Sequence, residues 1–506
     1  MTLQHMKKLS FLARTSLLIG FFFGLDKVLA FVRTGIIARQ YRDSIYLLDT
    51  FNAANNLPDV LFALISGGAL AMAFIPLMSE YLTQKGRAPA WDLFSRVANL
   101  AFTVTAFAAV VIAIFAQQIV DSEIGIAPGF GLEQRQLMAD LMRLNLIATI
   151  IFSISGLVMA SLQANQHFLL PAIAPILYNV GQIIGALYFS PRYGIHGLVY
   201  GVILGAVLHL LIQVPALIKY QFHWTAALDL NDTGLLSALK LLGPRILTMV
   251  GIQAIVIVRD NLASRTQQVG AVTSLTYSWM IMQVPETLIG TAIAIAILPT
   301  LSELAAEQNW TSFRLTIEKA LRVLVSLTLP IAGVLTAGLH PLVRAVFGFD
   351  EASSTLLTWT ARVYLLTLAG YAVQETLVRA FYARQEPWPP FFSILIRLAI
   401  YLTIGITAIL FFPAIGAPAI AFAEIAATVE AVILFIWLNK RLPERAAVRG
   451  SLLKGLVAGL VGASAAYSLA LMLPGGAIIT ALVGMAVGSL IVLPIIWKEV
   501  RLLFNL

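Results

Sequence analysis

Fourteen apolar stretches, each long enough to cross a hydrocarbon layer of about 30 Å, follow one another along the chain with only short polar connections. They run near residues 10 to 37, 46 to 75, 92 to 118, 137 to 163, 169 to 190, 194 to 218, 237 to 263, 270 to 299, 314 to 339, 355 to 382, 388 to 411, 415 to 438, 450 to 472 and 475 to 497. Backbone inside lipid must satisfy its own hydrogen bonds, so such stretches fold as helices and the expected fold is an all-α integral membrane protein of about fourteen transmembrane helices. Composition agrees: of 506 residues 59% are hydrophobic and 11% charged, with a mean hydropathy of +0.88, far from any soluble domain. Glycine and proline interrupt several runs, as at Pro58 and at Gly67 and Gly68, which implies helices bent around protein-lined space.

Charge placement orients the chain. Lys7, Lys8, Arg14, Lys85, Arg87, Lys440, Arg441, Arg445, Arg449, Lys498 and Arg501 fall on one side if the N-terminus is cytoplasmic, and Asp121, Glu123, Asp350 and Glu351 fall on the other. Both termini are then expected inside. The net charge of +8 is thus explained by loop residues and does not imply nucleic acid. The N-terminus begins like a secretory signal, basic and then apolar, but has no small-residue cleavage site, so it is expected to remain as the first helix. The chain has no cysteine and its six histidines show no metal-ligand spacing, so no thiolate chemistry and no metal site are expected. Glycine-rich phosphate loops, zinc motifs and nucleophile elbows are also missing, and the expectation is a transporter with no catalytic residue and no cofactor rather than an enzyme.

The chain repeats itself. FIPLMSEYL around Pro76, Ser79 and Glu80 returns as ILPTLSELA around Pro299, Ser302 and Glu303; SLQANQHFLLP, with Ala164 and Gln166, returns as AFYARQEPWPP, with Ala383 and Gln385; and Val32-Arg33 returns as Val258-Arg259. The period is about 220 residues and six spans. An even number of spans gives both copies the same direction, so two pseudo-symmetric six-helix lobes are expected at residues 1–220 and 221–440, with two further helices in 441–506. Two such lobes suit alternating access.

A charge inside a span costs several kcal/mol and normally faces a cavity or a partner. Those retained include Asp26, Lys27, Arg33, Asp49 and Asp59 early in the chain, Arg245, Arg259 and Asp260 in the seventh span, and Glu286, Arg362, Glu375, Arg379, Arg397, Glu424 and Glu430 later. Cations in the first span of each half suit an anionic substrate such as a diphosphate, which arginine grips bidentately and lysine as a point charge. Other readings stay open: Asp26 and Lys27 pair with neighbours, Asp260 neutralises Arg259, and Glu424 and Glu430 serve helix contacts as readily as ion or proton relay.

The segment DKVLAFVRTGIIARQYR and the following LLDTFNAANNLPDVLFALISGGALAMAFIPLMSEY resemble the opening of the MurJ (MviN) family of lipid II flippases, in the multidrug/oligosaccharidyl-lipid/polysaccharide exporter superfamily. APGF at 127–130, LQANQHFLLPAIAPILYN at 162–179, HLLIQVPAL at 209–217, GPRIL at 243–247, VPETLIGTAIAIAILPTLSE at 284–303 and FYARQEPWPP at 381–390 continue the resemblance in order. It implies two lobes around a cationic cavity, two extra C-terminal helices that take a lipid tail, and translocation of lipid II from the cytoplasmic to the outer face of the bacterial cytoplasmic membrane. Carried over by position, Lys27, Arg33 and Asp49 are expected in substrate binding, with Arg259 added from the seventh span. Asp26, Asp59, Asp260, Glu286, Glu375 and Arg397 are expected in the cavity or in coupling to membrane potential or a cation gradient.

The chain departs from the family pattern where arginines are usual. Phe62 and Ala63 stand in place of two basic residues in the second helix, Gly67 in place of a glutamate, and Met280 and Gln283 in place of an arginine and a glutamate in the eighth. The expected partners are an undecaprenyl-diphosphate-linked glycan, membrane lipids and cell-wall synthesis proteins. A flippase for another undecaprenyl-linked polysaccharide unit, a MATE-like exporter and a transport-inactive scaffold for cell-wall assembly are the alternatives.

Overall fold

Each of the fourteen apolar runs is helical in the computed structural model, and no strand occurs among the described residues. The structure describes residues 11–67, 69–226, 233–266 and 268–502, with side chains described outside 11–20, 65–73 and 233–245. Lys7, Lys8 and the side chains of Arg14 and Arg245 lie outside the described residues. Eleven of the described helices are long and apolar enough to cross a bilayer, or twelve when a pair bent by 44° counts as one span. Two expected spans fall outside that reckoning: the side chains of 11–20 in the first are not among those described, and the second is broken into short pieces.

The chain divides into two compact units, Met1–Val250 and Gly251–Leu506. The first holds α1 (Phe11–Gln40), α2 (Ile45–Ala54), α3 (Asn56–Leu61), α4 (Ala69–Gln84), α5 (Arg87–Asp121), α6 (Leu132–Ala164), α7 (Leu169–Ile184), α8 (Ser190–Tyr193), α9 (His196–Leu211) and α10 (Val214–Lys219). The division falls inside α11 (Thr233–Ser264). The second continues with α12 (Ala271–Pro285), α13 (Ala292–Ala306), α14 (Trp310–Phe347), α15 (Glu351–Leu366), α16 (Leu368–Ala383), α17 (Trp388–Phe411), α18 (Ala417–Phe422), α19 (Ile425–Asn439), α20 (Arg449–Met472) and α21 (Ala477–Val500).

Lipid gives apolar helices no hydrophobic reason to associate, so close backbone packing must do it. In the first unit α7 and α9 meet glycine to glycine: a Cβ added at Gly181 would lie 2.3 Å from Gly205 Cα, and one at Gly185 2.6 Å from Gly201 Cα. The second unit repeats the device for its last helices. A Cβ at Gly333 of α14 would lie 2.4 Å from the Gly459 carbonyl oxygen of α20, and one at Gly488 of α21 2.7 Å from that of Gly462. A polar staple joins the same three helices, since Glu499 of α21 accepts from Arg322 of α14 at 3.0 Å and from Lys454 of α20 at 3.3 Å.

The internal repeat extends to the backbone. A π-helical segment, Phe62–Gly67, precedes α4 with its Pro76, and another, Glu286–Thr291, precedes α13 with its Pro299. Gln166 and Gln385 both take left-handed conformations, at φ 58° and 59°, to end α6 and α16. Each cap is closed by the next residue: His167 N–H bonds to the Leu162 carbonyl and Glu386 N–H to that of Phe381, both at 2.9 Å.

Candidate functional site

Asp26 and Arg33 are seven residues apart in α1, two turns along one face. Asn179 of α7 fits between them, accepting from Arg33 Nη1 at 2.8 Å through its carbonyl oxygen and donating to Asp26 Oδ1 at 2.8 Å through its amide. A neutral side chain thus relays between a cation and an anion that do not touch directly. Asp26 meets a second cation loosely, Lys27 Nζ at 4.0 Å, and Lys27 also lies 5.1 Å from the centre of the Phe23 ring. The Lys27 side chain is 49% exposed, whereas Asp26 is 16% exposed. Arg33 Nε is buried with no hydrogen-bond partner among the described residues, so this guanidinium holds a donor in reserve.

Asp59, on α3, is exposed and within electrostatic reach of Arg33. Asp49 differs: it is buried at 2% exposure on α2 and engaged by its surroundings. Lys27 and Arg33 are therefore formally balanced by Asp26 and Asp59. Phe62, where the resemblance places a basic residue, packs edge-to-face on Phe152 with ring centres 5.1 Å apart. Phe152 in turn meets Tyr178 and His209. His209 accepts or donates at 2.6 Å to Ser155, and Gln213 donates to the same hydroxyl at 3.0 Å, a polar knot inside the apolar unit.

In the second unit the charges pair directly. Arg259, 8% exposed, donates through Nε to the fully buried Asp260 at 2.7 Å and through Nη2 to Thr276 of α12 at 3.2 Å. Its charge is compensated by its neighbour in sequence. Arg397 of α17 holds Glu424 at 3.0 Å and Glu430 at 3.5 Å, both buried, and its guanidinium lies over the Tyr371 ring at 4.8 Å. The Tyr371 hydroxyl bonds to both Glu424 and Arg397, and Ser393 donates to Glu430 at 2.8 Å. Glu286, which opens the π segment Glu286–Thr291, accepts from Thr291 at 3.2 Å, and Glu375 pairs with Arg379 one turn along α16 at 2.6 Å. Gly290 lets α16 pass there, since a Cβ on it would lie 2.9 Å from Ala372 Cβ.

Of the expected binding residues, then, α1 and α7 bring Lys27 and Arg33 together with Asp26, which was expected in the cavity or in coupling, while Asp49 and Arg259 are buried in their own units. The bridging Asn179 and the buried Tyr371 were not singled out from sequence. A signal existed for Asn179, one of two amides, with Gln182, in an apolar run, four residues after Pro175.

Comparison with known proteins places these features in a family. The model described as "Lipid II flippase MurJ" matches residues 44–495. Lipid II flippase MurJ of Burkholderia cenocepacia is 27% identical over 446 residues, 85% of this chain and 84% of its own. A solved structure of lipid II flippase MurJ in an inward closed conformation has a TM-score of 0.80 at 21% identity, covering 96% of this chain and all of that one. An inward-facing MATE-family multidrug resistance transporter of the MOP superfamily has a TM-score of 0.70 at 12% identity, covering 82% and 94%. The structural likenesses speak for the fold, and the family match over most of the chain speaks for descent: this chain belongs to the lipid II flippase MurJ family.

Proposed function

We propose that the chain translocates a lipid-linked peptidoglycan precursor, lipid II, across the bacterial cytoplasmic (inner) membrane by alternating access, with both termini cytoplasmic. The family match over residues 44–495 carries this reading. Lys27 supports it as a loosely held cation of α1, half exposed and 4.0 Å from its carboxylate. Arg33 supports it with a donor that has no partner among the described residues. A diphosphate would complete both. Asp26 and Asn179 then position these cations, while Arg259 and Arg397, already paired with carboxylates, hold helices together. On this reading the chain is a transporter and not an enzyme, and membrane potential or a cation gradient drives the cycle.

The formal balance of Lys27 and Arg33 by Asp26 and Asp59 favours one second reading, an exporter of a less acidic amphiphile. Cells depleted of their lipid II flippase separate the two. The native chain should restore growth and deliver labelled precursor to the outer face. Lys27→Ala should lower delivery about tenfold to a hundredfold, the worth of one charge-assisted hydrogen bond, and Lys27→Arg should keep most of it. A native chain that reaches the membrane and delivers no precursor would overturn the lipid II assignment.

A further inference from the structure

Arg397 stands between two carboxylates, Glu424 at 3.0 Å and Glu430 at 3.5 Å, which are 4% and 1% exposed. No other cation lies within 4 Å of either among the described residues, so one positive and two negative formal charges meet here. The packed elements supply no further cation. α18 has no charged side chain, α19 has only Glu430 and α17 only Arg397. α16 brings Tyr371, Gln374 and the pair Glu375 and Arg379, which hold each other at 2.6 Å. The fully buried Tyr364 and Tyr401 reach Glu424, and Arg259, which reaches both tyrosines, is matched by Asp260 at 2.7 Å.

The excess negative charge lies deep. Arg397 is nine residues from Trp388 along α17, and Glu430 is nine from Asn439 along α19, about 14 Å of helix in each case. Both are therefore near the middle of a hydrocarbon layer about 30 Å thick, where a net charge costs several kcal/mol. A metal ion has no room between the carboxylates, because the Arg397 guanidinium already occupies that position.

The hydrogen bonds around Glu430 leave one hydrogen to be found. Ser393 Oγ lies 2.8 Å from Glu430 Oε1 and 2.9 Å from the Pro390 carbonyl oxygen. A hydroxyl has one hydrogen, whereas a carbonyl oxygen and an ionised carboxylate have none. With Glu430 ionised, one of these contacts would press two lone pairs together at hydrogen-bond distance. A proton on Glu430 removes the conflict: Ser393 donates to Pro390, and the 2.8 Å bond runs the other way, from Glu430 to Ser393. Glu424 shows the opposite pattern. Tyr371 donates to it and accepts from Arg397, and Arg397 Nη2 donates to it at 3.0 Å, so Glu424 meets only donors and is ionised. Charge and hydrogens thus call for the same single proton.

We propose that Glu430 is a proton-binding site, carrying one proton on Oε1 at neutral pH and tying α19 to α17 as a neutral acid beside the Arg397–Glu424 ion pair. The site is distinct from the residues assigned to substrate, and it stands or falls separately from the flippase reading.

Two measurements on the full-length protein in detergent test it, neither of which needs transport. Infrared spectra at neutral pH should show a carboxylic-acid carbonyl band that shifts in heavy water and is missing from Glu430→Gln. Thermal melting should count the proton. A proton that the folded protein holds and the unfolded chain releases above a glutamate value of about 4 makes stability fall as pH rises, tenfold in the folding constant for each pH unit. Glu430→Gln keeps the shape and the donor but has no proton to release. Its melting temperature should therefore stay near the native one in mild acid and gain on it by about 3–5 °C per pH unit towards neutrality. Glu424→Gln, which leaves Arg397 without its ionised partner, should melt lower than Glu430→Gln throughout. A native spectrum without that band overturns the proposal without recourse to any melting curve. Parallel melting curves for native protein and Glu430→Gln across that range overturn it too, as does a native melting temperature that rises with sodium at constant ionic strength and loses that rise in Glu430→Gln, which would give the missing charge to a metal ion.

Discussion

Replacing Arg397 by methionine tests the account of the second unit most severely. The change removes the cation shared by Glu424 and Glu430, 4% and 1% exposed, and leaves the Tyr371 hydroxyl with one partner fewer. Methionine keeps much of the bulk, so the loss is electrostatic rather than a cavity. Removing one member of a buried ion pair costs about 3–5 kcal/mol, because the remaining charge has no water to return to. For a unit of roughly 250 residues each kcal/mol moves the melting temperature by about 2–4 °C, so a fall of roughly 6–20 °C is expected. Loss of the monodisperse peak on heating the detergent-solubilised protein measures it. Adding Glu424→Gln and Glu430→Gln to the same protein should restore most of the fall, since the uncompensated charges go with the cation. Two results refute the reasoning: a single variant within about 2 °C of the native protein, or a triple variant no more stable than the single one.

Three further outcomes follow from packing and charge. Gly333→Leu should part α20 from α14, at a cost of about 1–3 kcal/mol, because the new side chain meets the Gly459 carbonyl; unchanged resistance of the 440–449 connection to protease would contradict this. Asn179→Leu strips a partner from both Arg33 and Asp26, about 1–3 kcal/mol for each half-buried group, and an unaltered melting temperature would show that the bridge carries nothing. Asp350 caps α15, and its hydrogen bond with Ser353 holds its carboxyl below the ordinary aspartate range. A depressed native pKa means that the cap stabilises above the unfolded value of about 4 and fades as pH falls through the native one. Asp350→Ala should therefore cost about 0.5–2 kcal/mol near neutrality and little in acid. A constant gap between the two proteins down to about pH 3 would refute it.

The helices were legible in the sequence because lipid leaves the backbone no alternative, and runs such as 388–411 and 475–497 show it in composition alone. The repeat was legible at Pro76 and Pro299, though its backbone reason was not. Gln166 and Gln385 match in the repeat, and their shared property is a left-handed φ at a helix end, a conformation in which glycine would have been the obvious signal. Which charges pair was half visible. Asp260 follows Arg259 in sequence and neutralises it, and Arg379 lies one turn from Glu375. The partners of Arg397 lie 27 and 33 positions away, and the Asn179 bridge spans more than a hundred residues of chain, so only the folded packing brings them together.

That difference in pairing gives the two units different chemical capacities. In the second unit each buried guanidinium has a carboxylate within about hydrogen-bonding distance, at 2.7 Å for Arg259 and 3.0 Å for Arg397. Such pairs are rigid, and breaking one to admit a phosphate would strand a carboxylate in a medium that cannot solvate it. In the first unit Arg33 reaches Asp26 only through the Asn179 amide, and Lys27 stands 4.0 Å from the same carboxylate with half its side chain exposed. An arriving anion can take hydrogen bonds from Lys27 by giving up only a loose 4.0 Å pair, and Asn179 can stay with Arg33 and Asp26 throughout. A chain that must bind a charged head group and then release it needs cations held this loosely. On the proposed function, that is the physical reason to place the head group on α1, with the buried pairs of the second unit left as structure.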